Sequence, residues 1–219
     1  TSSDSIVRSG SSPEDPTILY GDPWLLVVLK PSGLLSQPGR GDHLQDSLIT
    51  RLQRVRGEHH LVHRLDRDTS GVVLVARCLD SLRRCSALFA ARRVNKLYEA
   101  EVEGQLHGRG RIDSRLARLD RDPPRYGDHP QGRPSTTLWR VRARQEDSTK
   151  LWLRPLTGRS HQLRAHLAGI GHPILGDPIY GEGSMTPLRL HARALGFQHP
   201  FTGRRLSVFT RQDDDNHAG

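Results

Sequence analysis

The segment LVHRLDRDTSGVVLVAR, residues 61–77, places two carboxylates among arginines at the start of an apolar run. Asp66 lies between Arg64 and Arg67, and Asp68 follows two residues later. Nearby guanidinium groups keep a carboxylate ionised, which is the form that a nucleophile needs. The same pattern fits a solvated ion cluster, or a carboxylate pair of the glycosidase type. Aromatic residues make up only 5% of the chain, which is few for stacking on sugar rings.

A predicted helix, SHQLRAHLAGIG at residues 160–171, carries a second group of interest. Its buried stripe is predicted by apolar residues at helical spacing, Leu163, Leu167 and Ile170. Arg164 borders this stripe, so we expect its guanidinium to reach inward and to need a carboxylate partner. Asp66 is the obvious candidate for that partner. An arginine that extends along the surface into water would give the same pattern.

The start of this helix offers a possible anion site. Ser160 is predicted as the N-cap, and the backbone N–H groups of Gly158, Arg159 and Ser160 can face a phosphate. An ordinary capped helix is the simpler alternative.

Metal and nucleotide sites find less support in the sequence. Residues five apart on a helix point about 140° away from each other, so His161 and His166 do not share a ligand face. His172 adds no recognisable metal-binding spacing. The segment GIGHPILG has its third glycine too late for a dinucleotide fingerprint, and LTGRSHQ lacks the lysine of a P-loop. The sequence therefore predicts neither a metal nor a cofactor.

The overall charge favours a polyanionic partner. The 219 residues include 33 basic and 24 acidic side chains, which gives a net charge of +9 and a pI near 10.5. This balance favours nucleic acid ahead of a membrane surface. No apolar run reaches the roughly 18 residues that a membrane span needs. Cys78 and Cys85 are expected to be reduced in a cytoplasmic protein.

Hydrophobic patterning predicts an α+β protein with a mostly antiparallel sheet and helices packed on it. Residues 1–16 are predicted as a flexible leader, 17–210 as one catalytic domain, and 211–219 as a disordered tail. Residues 106–134, rich in Gly, Arg, Asp and Pro without a period, are expected to form a long variable excursion.

Helices are predicted at 46–56 and after a cap at Asp80 or Ser81. The runs TILY (17–20) and WLLVVLK (24–30) are predicted as a hairpin or edge pair of strands, and GVVLVAR (71–77) as a buried strand. The run LYEAEVEG (97–104) is predicted as a strand with Tyr98, Ala100 and Val102 on one face.

Four segments, in order along the chain, resemble the RluA family of pseudouridine synthases. They are VVLKPSGLLSQPG (27–39), HRLDRDTSG (63–71), NKLYEAEVEG (95–104) and LRPLTGRSHQLRAHLAGIGHPILGD (153–177). In amino-acid sequence, these segments most resemble the member after which the family is named. With 23 residues before Trp24, we expect this protein to differ from members that carry a small S4 RNA-binding domain at that position.

The resemblance implies the pseudouridine synthase fold, with a mixed central sheet, flanking helices and a central active-site cleft. It implies that Asp66 is the catalytic aspartate and that Arg164 pairs with it. Tyr98 corresponds to the tyrosine that packs on the target base and can act as general base. Arg64 corresponds to the arginine that takes the place of the flipped nucleotide. Further RNA contacts are predicted at Lys30, Arg67, Arg159 and His161.

The resemblance also implies a function. Specific uridines in rRNA, tRNA or both would be isomerised to pseudouridine by a cytoplasmic monomer, after base flipping and attack by Asp66. Such a reaction needs no cofactor and no metal. An RNA-binding or ribosome-assembly module without catalytic activity is the alternative on the same fold.

Overall fold

The computed structural model describes residues 15–181 and 186–210. The predicted tail, and all but the last two residues of the predicted leader, lie outside these ranges. The predicted domain 17–210 divides into two compact units. One contains the chain up to Asn95 and from Arg193 onwards, and the other is Lys96–Ala192.

The first unit is built on buried β-strands. Its elements up to Asn95 are β1 (Thr17–Gly21), β2 (Leu25–Lys30), a 3-10 turn (Asp42–Leu44), α1 (Leu48–Arg56), β3 (His60–Leu61), β4 (Ser70–Ala76) and α2 (Leu79–Ala90). β2 pairs antiparallel with both β1 and β4, which confirms the predicted hairpin. Residues 72–76 of β4 have no exposed surface, as the valine-rich run predicted.

α1 begins two residues after its predicted start, and α2 begins two or three residues before its predicted start. α1 begins at Leu48 because the hydroxyl of Ser47 accepts the N–H of Thr50, and the Thr50 hydroxyl accepts the N–H of Ser47 in return. α2 begins at Leu79 behind Cys78, so the predicted caps at Asp80 and Ser81 are wrong. Asp80 instead lies in the first turn, where a carboxylate is favoured by the helix dipole.

The second unit is a larger antiparallel sheet with one helix. Its elements are β5 (Asn95–Glu103), β6 (Arg109–Arg121), β7 (Pro124–Asp128), β8 (Arg133–Arg144), β9 (Ser148–Pro155) and α3 (Gln162–Gly169). The strands run in the order β5-β9-β8-β6-β7, and each neighbouring pair is antiparallel. The core lies between the sheet and α3, around Val102, Leu151, Leu153 and Leu167.

The prediction that residues 106–134 form a long excursion without a regular pattern is wrong for the local structure. Most of this segment forms β6 and β7, which pair as a hairpin, and its last residues open β8. Of the inward positions of β6, Ile112 and Leu116 are apolar, whereas Gly110 and Ser114 carry short side chains or none. A Cβ atom added at Gly110 would lie 2.6 Å from the ring of Trp139, so a large residue has no room there. The apolar alternation that predicts a strand is therefore hidden.

After the second unit, β10 (Leu190–Gln198) carries the chain back into the first, where β11 (Arg205–Phe209) pairs with it antiparallel. The α+β class with mostly antiparallel pairing is thus confirmed. None of the described helices has the length and apolar character that crossing a bilayer requires. Cys78 and Cys85 are both free thiols.

Candidate active site

Asp66 lies on the loop that connects β3 to the buried strand β4. This loop has no regular structure, so its carbonyl groups need partners from elsewhere. Of the four successive carbonyls at residues 65–68, that of Asp66 is bonded within the loop, and the other three are bonded to segment 30–36. The Ser36 hydroxyl donates to Leu65 O at 2.7 Å, and the N–H of Thr69 donates to Asp66 O at 3.2 Å. The Ser32 hydroxyl donates to Asp68 O at 2.7 Å.

The carbonyl of Arg67 accepts two further bonds. One comes from the N–H of Gly33, at 3.0 Å. Gly33 has a φ of 82°, a conformation that glycine adopts without steric cost and that orients its N–H towards the loop. The other comes from the ammonium group of Lys30, at 2.8 Å. Segment 30–36 thus fastens the backbone on both sides of Asp66.

Lys30 is fully buried, which corrects its predicted role as an RNA contact. Its ammonium group donates to the carbonyls of Pro31, Leu34 and Arg67, at 2.9, 2.6 and 2.8 Å. A side chain with no exposed surface does not reach a phosphate in solution. Burial lowers the pKa of Lys30 to about 8, although the charges of Asp68 and Asp66 act in the opposite direction. The loop therefore rests on a buried cation next to both carboxylates.

The side chains on either side of Asp66 differ in exposure. Arg64 and Arg67 are exposed, whereas Asp66 is half-buried. Arg67 Nε lies 3.6 Å from Asp68 Oδ1, so Asp68 is the carboxylate that pairs with this arginine. Two exposed guanidinium groups thus flank a more sheltered carboxylate, an arrangement suited to binding a polyanion next to a nucleophile.

The imidazole of His63 orients the beginning of the loop. His63 Nε2 accepts the N–H of Leu74 at 3.0 Å, and its ring stacks on Phe89 at a centroid distance of 4.7 Å. His63 was not predicted as a site residue from the sequence.

Tyr98 lies in the second unit, on β5. It is half-buried, pairs across the ladder with Leu153, and packs against the core of that unit. The predicted shared face of Tyr98, Ala100 and Val102 is confirmed by the burial of the last two and the packing of the first.

Arg164 reaches inward from α3, as predicted, and is only 3% exposed. Its carboxylate partner within the second unit is Asp177, which the sequence analysis did not name. Nε and Nη2 of Arg164 donate to the two carboxylate oxygens of Asp177, both at 2.7 Å. The same carboxylate accepts the N–H groups of Ile179 and Tyr180. The pairing of Arg164 with Asp66, which lies in the first unit, stays a prediction.

The guanidinium of Arg164 lies beside an aromatic ring. It lies 5.2 Å from the ring centre of Tyr180. The Tyr180 hydroxyl accepts the N–H of Tyr126 at 2.8 Å and lies 3.2 Å from His161 Nδ1. These contacts fix the plane of the guanidinium between an ion pair and a ring. The predicted RNA contact of His161 stays a prediction.

The start of α3 differs from the prediction. Its N-cap is His161, with a φ of 52°, and not Ser160. In the described part of the chain, no side chain caps this helix; the side chain of Gln162 instead organises the preceding turn, because its Oε1 accepts the Arg159 N–H at 3.0 Å and the Thr157 hydroxyl at 2.7 Å. The Arg159 N–H is therefore occupied, which removes one donor from the predicted phosphate site. The predicted stripe holds for Leu163 and Leu167, whereas Ile170 is 40% exposed beyond the end of the helix.

His166, on the same helix, is buried among hydroxyl groups. Nδ1 lies 2.9 Å from Thr137 Oγ1, and Nε2 lies 2.8 and 3.0 Å from the hydroxyls of Ser135 and Ser114. Burial lowers the pKa of His166 to about 4. Among the described residues, no three His, Cys, Asp or Glu side chains are grouped as a metal site.

Comparison with known proteins gives this arrangement its family. Residues 24–169 match the family model described as RNA pseudouridylate synthase. The chain belongs to this family, in its RluA branch, and is therefore a pseudouridine synthase, an isomerase.

Among its relatives, the dual-specificity RNA pseudouridine synthase RluA of Escherichia coli (strain K12) is 40% identical, over 89% of this chain and 93% of that protein. The protein of the same name from Vibrio vulnificus (strain CMCP6) is 38% identical, over 92% of this chain and 86% of that protein. Of solved structures, human RNA Pseudouridylate Synthase Domain Containing 1 superposes with a TM-score of 0.78 at 27% identity. That match covers 94% of this chain and 86% of the human one.

Three of the site residues that were not predicted lie inside the quoted segments. Ser36, His63 and Asp177 belong to three of the four family-like motifs. The family-like segments therefore contained these residues, but the residues to which they bond could not be predicted from the sequence. Ser36 bonds to a residue 29 positions away, and Arg164 to one 13 positions away, and no local periodicity links such pairs.

Proposed function

We propose that this chain isomerises specific uridines of ribosomal RNA, transfer RNA or both, with Asp66 as the nucleophile. The observation that carries the proposal is the support of the Asp66 loop. Segment 30–36 holds the backbone on both sides of the carboxylate, and the strand that follows is fully buried. A reacting group gains from such fixation, because the ordering is completed before substrate binds.

The proposed chemistry begins with extrusion of the target nucleotide. A stacked uridine does not expose its glycosidic bond, and unstacking costs a few kcal/mol, which contacts to phosphates offset. Asp66 then attacks the anomeric carbon of the ribose, and the glycosidic electron pair leaves with uracil. The freed base turns and forms the new bond through its carbon 5, while the ester to Asp66 breaks. All heavy atoms of the nucleotide are retained.

One proton has to be removed during this sequence. It leaves carbon 5 of the base, while N1 of the uracil gains a proton. If the sugar passes through a glycal, the neighbouring ribose carbon also loses a proton and later regains one. Tyr98 is the proposed base for this transfer and packs on the uracil. Arg164 pairs with Asp66 in this proposal, and its bidentate bond to Asp177 sets the plane of its guanidinium.

RNA binding is assigned to cations outside the reacting group. Arg64 and Arg67 are exposed next to Asp66, and Arg64 fills the gap that the extruded base leaves. Arg159 and His161 contact the backbone near α3. The net charge of +9 draws RNA to the protein, so affinity falls as salt rises. We place the enzyme in the cytoplasm as a monomer, and the names of its relatives favour more than one RNA substrate.

The test compares Asp66→Asn with Asp68→Asn. The first change keeps the shape of the side chain and removes the nucleophile, so we expect pseudouridine to disappear while RNA binding persists. The second alters the carboxylate that pairs with Arg67 and is the matched control. Pseudouridine is mapped in total RNA from cells that lack the protein and carry each variant.

Two outcomes would contradict the proposal. Activity in the Asp66→Asn protein would show that residue 66 is not the nucleophile. Equal loss in both variants, with release of free sugar by the wild type, points instead to a glycosidase that uses both carboxylates.

A further inference from the structure

The sheet of the second unit carries a groove on the face that points away from its core. Its volume is about 480 Å³. Four arginines line it, Arg109, Arg111, Arg140 and Arg154. Its floor is apolar and is formed by Leu97, Leu138 and Trp152. No residue assigned above to catalysis or to RNA contact lines this groove.

Strand register shows which face the groove occupies. Residues directly opposite each other on paired strands project from the same face of a sheet. One row across β6, β8 and β9 consists of Arg109, Arg140 and Trp152. The next row consists of Arg111, Leu138 and Arg154. Tyr98 is opposite Leu153, which points into the core, so the groove lies on the reverse of the face that carries Tyr98.

The charge of this groove is positive. The acidic side chains beside it are already paired, since Asp113 binds Arg111 and Glu99 binds Arg142. The guanidinium of Arg142 also lies 5.0 Å from the ring centre of the half-buried Trp152. Arg109 and Arg140 are exposed, and in residues 15–181 and 186–210 no carboxylate pairs with either of them.

We propose that this groove binds a single-stranded stretch of the substrate RNA beyond the target nucleotide. Arg109 and Arg140 hold consecutive phosphates, and a base lies on the floor next to Trp152. An apolar floor with an aromatic ring, bordered by cations, is the usual platform for single-stranded nucleic acid. A purely acidic peptide would satisfy the arginines and leave the floor unused. The inference rests on the proposed RNA substrate.

The position of the groove makes the proposal specific. Because the groove and Tyr98 are on opposite faces of one sheet, an RNA has to continue around the sheet to occupy both. A short stem-loop that only fills the catalytic face does not reach the arginines. The same stem-loop with a single-stranded extension does.

The experiment measures binding of these two labelled RNAs to the full chain at several salt concentrations. The test variant is Arg109→Ala with Arg140→Ala, and the matched control is Arg56→Ala with Arg83→Ala, two exposed arginines of the first unit. For the extended RNA we expect the slope of log Kd against log salt to fall by about 1.4, from two phosphate contacts at about 0.7 each. The short RNA and the control variant should keep the wild-type slope.

A second pair of variants tests the floor. Trp152→Leu should weaken binding of the extended RNA by about 5- to 150-fold, the usual value of one stacked base. Trp152→Phe keeps an aromatic face and should retain most of the affinity.

The proposal is overturned if the extended RNA keeps its slope in the double arginine variant, or if the control variant loses as much. A change of self-association in sedimentation with unchanged RNA affinity would assign the groove to a second copy of the chain. Pseudouridine formation by the wild type and by Asp66→Asn is measured on the same RNAs, so failure of the catalytic assignment is seen separately from failure of the groove.

Discussion

Replacing Asp177 by alanine should destabilise the second unit strongly. The carboxylate accepts two bonds of 2.7 Å from Arg164, and the two side chains are 3% and 0% exposed. A hydrogen bond to a charged group contributes about 1.5–3 kcal/mol, so two contribute about 3–6 kcal/mol. Breaking a buried ion pair from one side costs about 3–5 kcal/mol by direct measurement in other proteins, and the two ranges agree. The N–H groups of Ile179 and Tyr180 also lose their acceptor.

Thermal unfolding measures this effect. For a chain of this size, 3–5 kcal/mol corresponds to a fall in Tm of about 6–20 °C. Asp80→Ala is the control, because Asp80 pairs with Arg84 on an exposed helix surface, where an ion pair contributes less than about 1 kcal/mol. Adding Arg164→Met to Asp177→Ala removes the buried charge and should recover part of the Tm without restoring activity. If Asp177→Ala melts together with the Asp80 control, the reasoning about this ion pair is refuted.

Two further predictions concern buried titratable groups. Lys30→Met removes three donors from the loop carrying Asp66, so kcat for pseudouridine formation should fall with little change in KM; an unchanged kcat would contradict this support role. The pKa of His166 is about 4 in the folded chain, whereas an unperturbed histidine has a pKa of 6.5. As the pH falls below 6.5, His166 is therefore protonated in the unfolded chain before it is protonated in the folded chain. Stability should therefore decline as pH falls from about 6.5 to 4, as measured by urea midpoints, and His166→Gln should flatten that decline. Equal slopes in both proteins would exclude His166 as the cause.

The sequence predicted those strands whose inward positions are apolar. β2 and β4 are continuous runs of Leu and Val, and both were placed correctly. β6 was missed because its inward positions include Gly110, covered by Trp139, and Ser114, which bonds to His166. At such positions the residue type is determined by tertiary contacts, so the alternation of apolar and polar residues that predicts a strand is lost.

At the candidate site, too, some features could be predicted from the sequence and others could not. Family-like motifs named Asp66, Tyr98 and Arg164, and the inward direction of Arg164 followed from helical spacing. The carboxylate that pairs with Arg164 inside the second unit could not be chosen from spacing, because Asp177 follows α3 in an irregular segment. Lys30 was misassigned for a related reason. A lysine before a Pro-Ser-Gly turn reads as exposed, and only the fold shows that three carbonyls converge on its ammonium group.

The way the loop around Asp66 is supported has a consequence for how such an enzyme changes over time. Its support consists of backbone carbonyls held by segment 30–36, so it does not depend on the identity of the exposed side chains at Arg64 and Arg67. Under the proposed mechanism, we expect substitutions at those two positions to change which RNA is accepted without displacing the carboxylate of Asp66. On this view, related enzymes can come to modify different RNA targets without losing catalytic activity.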